Sequence, residues 1–308
     1  MLALFEESRP RLEAIAYRLL GSAADAEDAV QDTYLRWQAA DHELVEVPEA
    51  WLTKVLTNLC LNRLTSARAR RETYVGQWLP EPVFAGDRML GPSETVEQRE
   101  SVSIAMLTLM ERLSANERVV YVLREAFGYA HAEIAEILDL SEANCQQIYR
   151  RAKQHLATGR TRVEVDAAGA RKIVEEFLAA ALSGNTDSLV KLLADDAISA
   201  GDAGGVFISV PKPITGALKV ARFLRTLFTP DDAKREMVGG NPSLFATVTN
   251  GVPALVMTSG DRVVIVVSFE VTTDGITAVH TQANPAKLDR ATRQWAASDQ
   301  GEPLVENW

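Results

Sequence analysis

Apolar residues recur at helical spacing near the start of the chain. Leu12, Ile15, Ala16 and Leu19 form one stripe that Gly21 ends. Ser22 or Asp25 can start a second helix, through the segment AEDAVQDTYLRWQAA. Pro48 opens a third, in which Leu52, Val55, Leu56, Leu59 and Cys60 share one side. Lys54, Asn58, Leu61 and Thr65 lie opposite, and Arg63, Arg68, Arg70 and Arg71 follow. Residues 72–97 are rich in Gly and Pro and read as a loop, yet they contain the apolar pair Trp78-Leu79. From about 98 to 158 the helical period returns. A tight break at Asp139-Leu140-Ser141 divides a helix pair, and Ser141 is placed to cap the second member.

Past residue 160 the pattern changes. Residues 170–184 predict an amphipathic helix ending at Gly184, and Asn185 caps a second helix running to about 196. Strand-like runs follow at 206–210, 244–259, 262–272 and 275–282, with hairpin turns at Asn250-Gly251 and Asp274-Gly275. Helices followed by a curved antiparallel sheet make an α+β domain. Residues 289–308 are polar and predict a loosely held tail.

Composition narrows the class. Of the 308 residues 47% are hydrophobic and 24% charged, a globular balance that excludes a disordered chain. No apolar run approaches a membrane span, and the N-terminal segment reads as a first helix and not as a signal peptide. Two cysteines, Cys60 and Cys145, leave no disulfide framework and suggest a reducing cytoplasm. No Cys/His grouping has metal spacing, so neither metal nor cofactor is expected. The net charge is −10, with 18 basic against 24 acidic residues in 1–160 and 14 against 18 in 161–308. Such a chain would bind free duplex weakly, because affinity for DNA comes largely from phosphate neutralisation.

The helix after Ser141 nevertheless carries DNA-reading chemistry. On a 100° wheel Cys145, Ile148, Ala152 and Leu156 face inward. Ala143, Gln146, Gln147, Arg150, Lys153 and Gln154 supply the outer, polar side. Gln pairs with adenine, Arg with guanine, and Ala meets a thymine methyl. A solvated surface on an ordinary helical hairpin is the plainer alternative. Cys145, facing inward, reads as a core residue. On the third helix the arginine run can hold a phosphate backbone, and Trp51 with Asn58 can meet unstacked bases. A basic helix end favoured by the macrodipole is the competing account.

The order of blocks supplies a resemblance. The acidic helix around DAEDAVQDTYLRWQ, the helix PEAWLTKVLTNLCLNRLTSARARR, a linker, and LSANERVVYVLREAFGYAHAEIAEILDLSEANCQQIYRRAKQHL together resemble a group 4 (extracytoplasmic-function) sigma factor of bacterial RNA polymerase. Residues 165–285 resemble a SnoaL-like domain of NTF2-like fold, as in the SigJ-type subgroup that carries such an extension. The resemblance implies two all-α sigma domains followed by an α+β cone. Residues 1–72 would be region 2, 73–97 the linker, 98–160 region 4 with its helix-turn-helix, 165–288 the SnoaL-like domain and 289–308 the tail. It implies RNA polymerase core and promoter DNA as partners. Trp51, Lys54, Asn58, Arg68, Arg70 and Arg71 would face the −10 element. Ala143, Gln146, Gln147, Arg150, Arg151 and Lys153 would face the −35 element, and Asp25, Asp28, Gln31 and Asp32 the polymerase.

The subgroup's linker signature stands here as Trp78-Leu79-Pro80-Glu81-Pro82. Its Asn-Pro-Asp-Lys-Leu motif stands as Asn284-Pro285-Ala286-Lys287-Leu288. Its Asp-Gly-Gly-Gly-Lys motif is altered to Asp202-Ala203-Gly204-Gly205-Val206, without the lysine. The linker is expected to dock beside Asn284, Lys287 and Leu288, with Lys287 meeting Glu81. The acidic chain is then explained: polymerase supplies most of the affinity, and tethering makes weak promoter contacts effective.

An NTF2-like cone implies an apolar cavity with room for a small-molecule ligand. Asp195, Asp196, Asp202 and His280 are its polar candidates, but they form no spaced catalytic motif. Three functional readings therefore stand. One is a sigma factor regulated in cis by its extension, not an enzyme. Another is a ligand-sensing DNA-binding regulator independent of polymerase. The third is an NTF2-like enzyme with a nucleic-acid anchor. The complete region 2 block favours the first.

Overall fold

Helix α1 (Leu2–Leu20) stops where Gly21 takes φ +66°. Ser22 then caps α2 (Ala23–Ala39), its side chain accepting from the Asp25 amide at 3.1 Å. Pro48 is the first residue of α3 (Pro48–Glu72). The computed structural model describes residues 2–72, 74, 76–93, 95–156, 166–206 and 212–308, and the side chains of 67–72 lie outside the description. The chain forms two compact units. One comprises Met1–Thr73 with Gly86–Thr158, the other Tyr74–Ala85 with Gly159–Trp308. The blocks expected at 1–72 and 98–160 thus lie in one unit, and the apolar part of the linker belongs to the other.

In the first unit, α4 (Val96–Glu100) and α5 (Ile104–Met110) lead into α6 (Ala115–Glu125), α7 (His131–Leu138) and α8 (Glu142–Leu156). The capping box Ser114/Glu117 starts α6. Asp139 ends α7 in the left-handed region, φ 54°, which Asp tolerates better than most residues. Two buried arginines tie this unit together. Arg18 donates to the Leu90 carbonyl at 2.6 Å and to Ser101 Oγ at 2.8 Å. Arg118 donates to the Arg18 carbonyl at 3.2 and 3.1 Å and pairs with Glu111. Burial lowers their pKa values to about 10 and about 9, so both stay charged at neutral pH.

The second unit contains α9 (Ala167–Leu182), α10 (Thr186–Val190), β1 (Leu193–Asp202), β2 (Ile214–Thr215), α11 (Ala217–Phe228) and α12 (Asp232–Val238). β3 (Ser243–Thr249), β4 (Val252–Ser259), β5 (Arg262–Thr272), β6 (Gly275–Gln282) and α13 (Asp289–Ala296) complete it. The six-stranded sheet has the order β2-β1-β6-β5-β4-β3. It is antiparallel except for one pair, β1 with β6, which corrects the expectation of a wholly antiparallel sheet. One face presents Leu255, Met257, Val267 and Phe269 to Phe177, Leu224 and Phe228 of the helices. The other face, with Phe245, Val256 and Val266, is covered by Phe84, Leu288 and Trp295.

Three expectations change here. Residues 193–202 form β1, not the end of a helix, because parallel pairing with β6 overrides their weak strand propensity. Helix α11 escaped the sequence reading, although Ala217, Val220, Ala221, Leu224 and Phe228 make a full buried stripe. The segment 289–308 is not loosely held: α13 buries Ala291 and Trp295, and Trp308 is 4% exposed. Its polar composition hid a sparse apolar stripe, which one aromatic ring suffices to anchor. Most of the strand expected at 206–210 lies outside the described residues.

Candidate functional site

Helix α8 keeps the faces that its periodicity predicts. Cys145, Ile148, Ala152 and Leu156 are buried, while Ala143, Gln147, Arg150, Arg151 and Lys153 are exposed and Gln146 is half-buried. Ser141 Oγ accepts from the Asn144 amide at 3.3 Å. Gln146 donates to Glu142 Oε1 at 3.2 Å, and Lys153 stands 3.7 Å from Glu125 and over the Tyr149 ring. Gln147 and Arg150 make no side-chain hydrogen bond or ion pair with another described residue. Burial raises the Cys145 thiol pKa, which disfavours the reactive thiolate.

On α3 the arrangement differs. Lys54 Nζ donates to Asp139 Oδ1 at 2.6 Å and to the Glu136 carbonyl at 2.9 Å. Thr53 Oγ1 lies 3.2 Å from Tyr129 Oη, again across to the turn before α7. Trp51 packs near Trp37, ring centroids 5.4 Å apart, and Asn58 is half-buried. Arg68, Arg70 and Arg71 fall on the last turns of α3, with side chains outside the described residues. Arg63 reaches across to α2, 2.8 Å from Asp32, 3.8 Å from Asp28 and 3.9 Å from Asp25. The acidic face is therefore partly neutralised from behind, and Asp28 and Gln31 are its exposed members.

The second unit gathers the three motifs. Asp202 is 1% exposed, and its carboxylate accepts four donors. Tyr74 Oη at 2.6 Å and the Gly204 amide at 3.1 Å meet Oδ1. The Leu79 amide at 2.9 Å and Lys287 Nζ at 2.6 Å meet Oδ2. A buried carboxylate so supplied has its hydrogen-bonding capacity met inside the protein. Lys287 also donates to the Leu79 carbonyl at 2.7 Å and sits 4.2 Å over the Trp78 ring. The expected partner Glu81 is buried, and the bonds above tie Lys287 to Asp202 and to the linker backbone. Asn284 donates to Tyr74 Oη at 2.7 Å and caps the turn Pro285–Lys287. Burial and the Asp202 carboxylate push the Tyr74 phenol well above its ordinary pKa.

The altered motif thus keeps its aspartate and its turn without the lysine. Gly204 has φ +59°, and a Cβ there would lie 2.5 Å from Asn284. Val206, in the lysine's place, is exposed. Leu79, Pro80, Glu81 and Pro82 are buried, Trp78 is half-buried, and Leu288 packs with the linker's Phe84 in the outer-face core. The linker continues as a short addition to the sheet edge. Asn250 donates to the Val83 carbonyl at 2.8 Å, and its Oδ1 accepts from the Val83 amide at 2.9 Å. Gln282 donates to the Leu79 and Pro80 carbonyls at 3.3 and 3.2 Å. Tyr74 and Gln282 were missed from sequence, and no local signal marks them; Asn250 was read as a hairpin turn, without its hold on the linker. Of the polar cavity candidates only Asp202 borders the cavity beneath α11; Asp195 and Asp196 are exposed on β1, and His280 pairs across the sheet with Ser268. Among the described residues no helix is long and apolar enough to cross a membrane.

The comparisons agree with this layout. Sigma-70 region 2 matches residues 4–70, and sigma-70 region 4 matches residues 103–156. The ECF RNA polymerase sigma factor SigJ of Mycobacterium tuberculosis is 39% identical over 221 residues, covering 71% of this chain and 70% of that protein. A probable ECF RNA polymerase sigma factor, SigI, of the same species is 28% identical over 295 residues, covering 93% and 94%. The crystal structure of the M. tuberculosis SigJ superposes with a TM-score of 0.71 at 30% identity, covering 98% of this chain and all of that one. The chain belongs to the extracytoplasmic-function sigma factors of RNA polymerase.

Proposed function

We propose that the exposed face of α8 reads the −35 element while α3 engages the −10 element, and that the C-terminal domain governs both through the linker it holds. The observation that carries this reading is the course of the chain. It leaves the first unit at Thr73, is bound into the second over Tyr74–Ala85, and returns to the first at Gly86. The connection between the two promoter-binding blocks is therefore anchored on Asp202, Asn284 and Lys287. Asp25, Asp28, Gln31 and Asp32 form the polymerase-facing patch, suited to a basic protein partner better than to DNA. The setting is cytoplasmic, where polymerase works.

The extension acts as a regulator and not as a catalyst. The Asp202 carboxylate accepts four donors, and the other ionisable group at the cavity, Lys234, is committed to the Thr226 and Thr229 carbonyls and to Asp231. The test is promoter-directed transcription by core polymerase with the full-length chain. Asp202→Ala, which removes the common acceptor, should change promoter output several-fold while leaving core binding intact. Equal output from Asp202→Ala and the parent would overturn cis control. No promoter-specific transcript from the parent would overturn the reading altogether.

A further inference from the structure

The helix-backed face of the sheet encloses a cavity of about 140 Å³. Phe223, Phe228, Leu255, Met257, Val267 and Trp308 make its wall aliphatic, thioether and aromatic. An apolar cavity of roughly this size in another protein, about 150 Å³, takes up benzene. Met sulfur and ring edges suit an aromatic guest especially well. Thr281 belongs to this wall, and its Oγ1, which has almost no accessible surface, makes no hydrogen bond with a described residue, so a guest meets it only by a turn of the Thr281 side chain. A buried hydroxyl left without a partner is costly, and a ligand group that meets it recovers that cost.

Charge has no place to go in this cavity. The Asp202 carboxylate at its border is saturated by four donors. Lys234, also at the border, is committed to the Thr226 and Thr229 carbonyls at 2.7 and 2.6 Å and to Asp231 at 3.0 Å. A charged ligand would enter without a counter-ion.

Two wall segments belong to neither the sheet nor its helices. Trp308 closes one side, held by its indole donating to the Phe228 carbonyl at 3.0 Å and by its amide donating to Pro242 at 2.9 Å. Gln77 comes from the linker, one residue before Trp78, and Asp202 is the group that holds the Leu79 amide. The wall is therefore complete only while the linker is docked.

We propose that this cavity binds a small uncharged aromatic molecule carrying one hydroxyl or carbonyl, which meets Thr281, and that its occupancy tightens the linker through Gln77 and Asp202. The binding stands on the cavity alone; only its regulatory consequence rests on the reading of the extension as a cis regulator. Because ligand and docked linker share a wall, each must stabilise the other by the same factor.

The test uses the full-length chain, with p-cresol and p-xylene as probes that differ only by hydroxyl for methyl. Titration calorimetry should give one saturable site, with p-cresol about three- to tenfold tighter. Thr281→Val should erase that preference while p-xylene still binds. Ile265→Phe, which fills the cavity, should abolish both. Saturation with p-cresol should slow hydrogen exchange of the Leu79 amide several-fold. No saturable binding of either probe to the parent overturns the site, and undiminished binding to a folded Ile265→Phe variant places the probes elsewhere. A p-cresol preference that survives in Thr281→Val overturns the role of Thr281. Unchanged Leu79 exchange in the saturated protein overturns the coupling. All four readouts are made without polymerase, so they fail or succeed independently of promoter-directed transcription.

Discussion

Two helices of the same unit carry DNA-binding chemistry, and the structure treats them in opposite ways. Helix α8 offers Gln147 and Arg150 to solvent with no partner among the described residues. Helix α3 has its charged groups in use, with Lys54 on Asp139 and the Glu136 carbonyl, and Arg63, on the other side, on three aspartates. If α8 reads duplex in the major groove, as proposed, it needs no prior rearrangement. If α3 holds separated strands, its Lys54 must first leave Asp139 and the Glu136 carbonyl. The difference teaches that exposure, not charge alone, separates a ready surface from one that must be released. Here the release is cheap: Lys54 and Asp139 are 40% and 76% exposed in their side chains, so their pairing is worth little in stability.

The strongest way to break the comparison is to remove the frame that holds α3 and α7 in one unit. Arg18→Ala leaves the Leu90 carbonyl and Ser101 without their buried donor. It should lower unfolding free energy by about 3 kcal/mol. Denaturant titration checks this, and a loss below about 1 kcal/mol would show that packing alone carries the frame. Next comes base reading on the open helix. Arg150→Ala should cost roughly 1–3 kcal/mol at one promoter position while leaving others alone. A uniform loss across a promoter library would make Arg150 a phosphate contact.

The occupied helix is tested more gently. Asp139→Asn should change stability by less than about 0.5 kcal/mol, since the pair is exposed. It should nevertheless speed open-complex formation by freeing Lys54. Lys54→Ala should reduce the salt slope of promoter binding by about one unit, as the loss of one phosphate contact does. An unchanged slope would keep Lys54 as a structural residue. The smallest effect expected is chemical. Cys145 lines the inner side of α8, and burial raises its thiol pKa. Iodoacetamide should therefore label it more slowly than a free thiol at neutral pH, and Arg150→Ala should leave that rate alone if the helix stays packed.

Much of the site was legible along the chain because its signals are local. The cap at Ser141, the stop at Asp139 and the inward set Cys145, Ile148, Ala152 and Leu156 follow from spacing within one helix. The strands β5 and β6 and the turn between them were equally plain, since β-branched runs and Asp-Gly need no distant partner. Strand β1 was misread because Asp195, Asp196 and the alanines around them favour no element until β6 pairs with them. The segment after residue 289 was misread because its apolar residues are few and widely spaced.

By itself the sequence determined the order of elements, the two faces of α8, the acidic patch on α2 and the presence of three motifs far apart in the chain. Tertiary structure alone decided which groups those motifs engage. Lys54 and Asp139 are 85 positions apart, and Tyr74 and Asp202 are 128 apart. Periodicity is a property of a few turns of chain, whereas partners at such separation are chosen by packing. Whether Asp202 takes Lys287 and the Leu79 amide, and whether Trp308 closes a cavity, depends on where the sheet bends and what covers its edge.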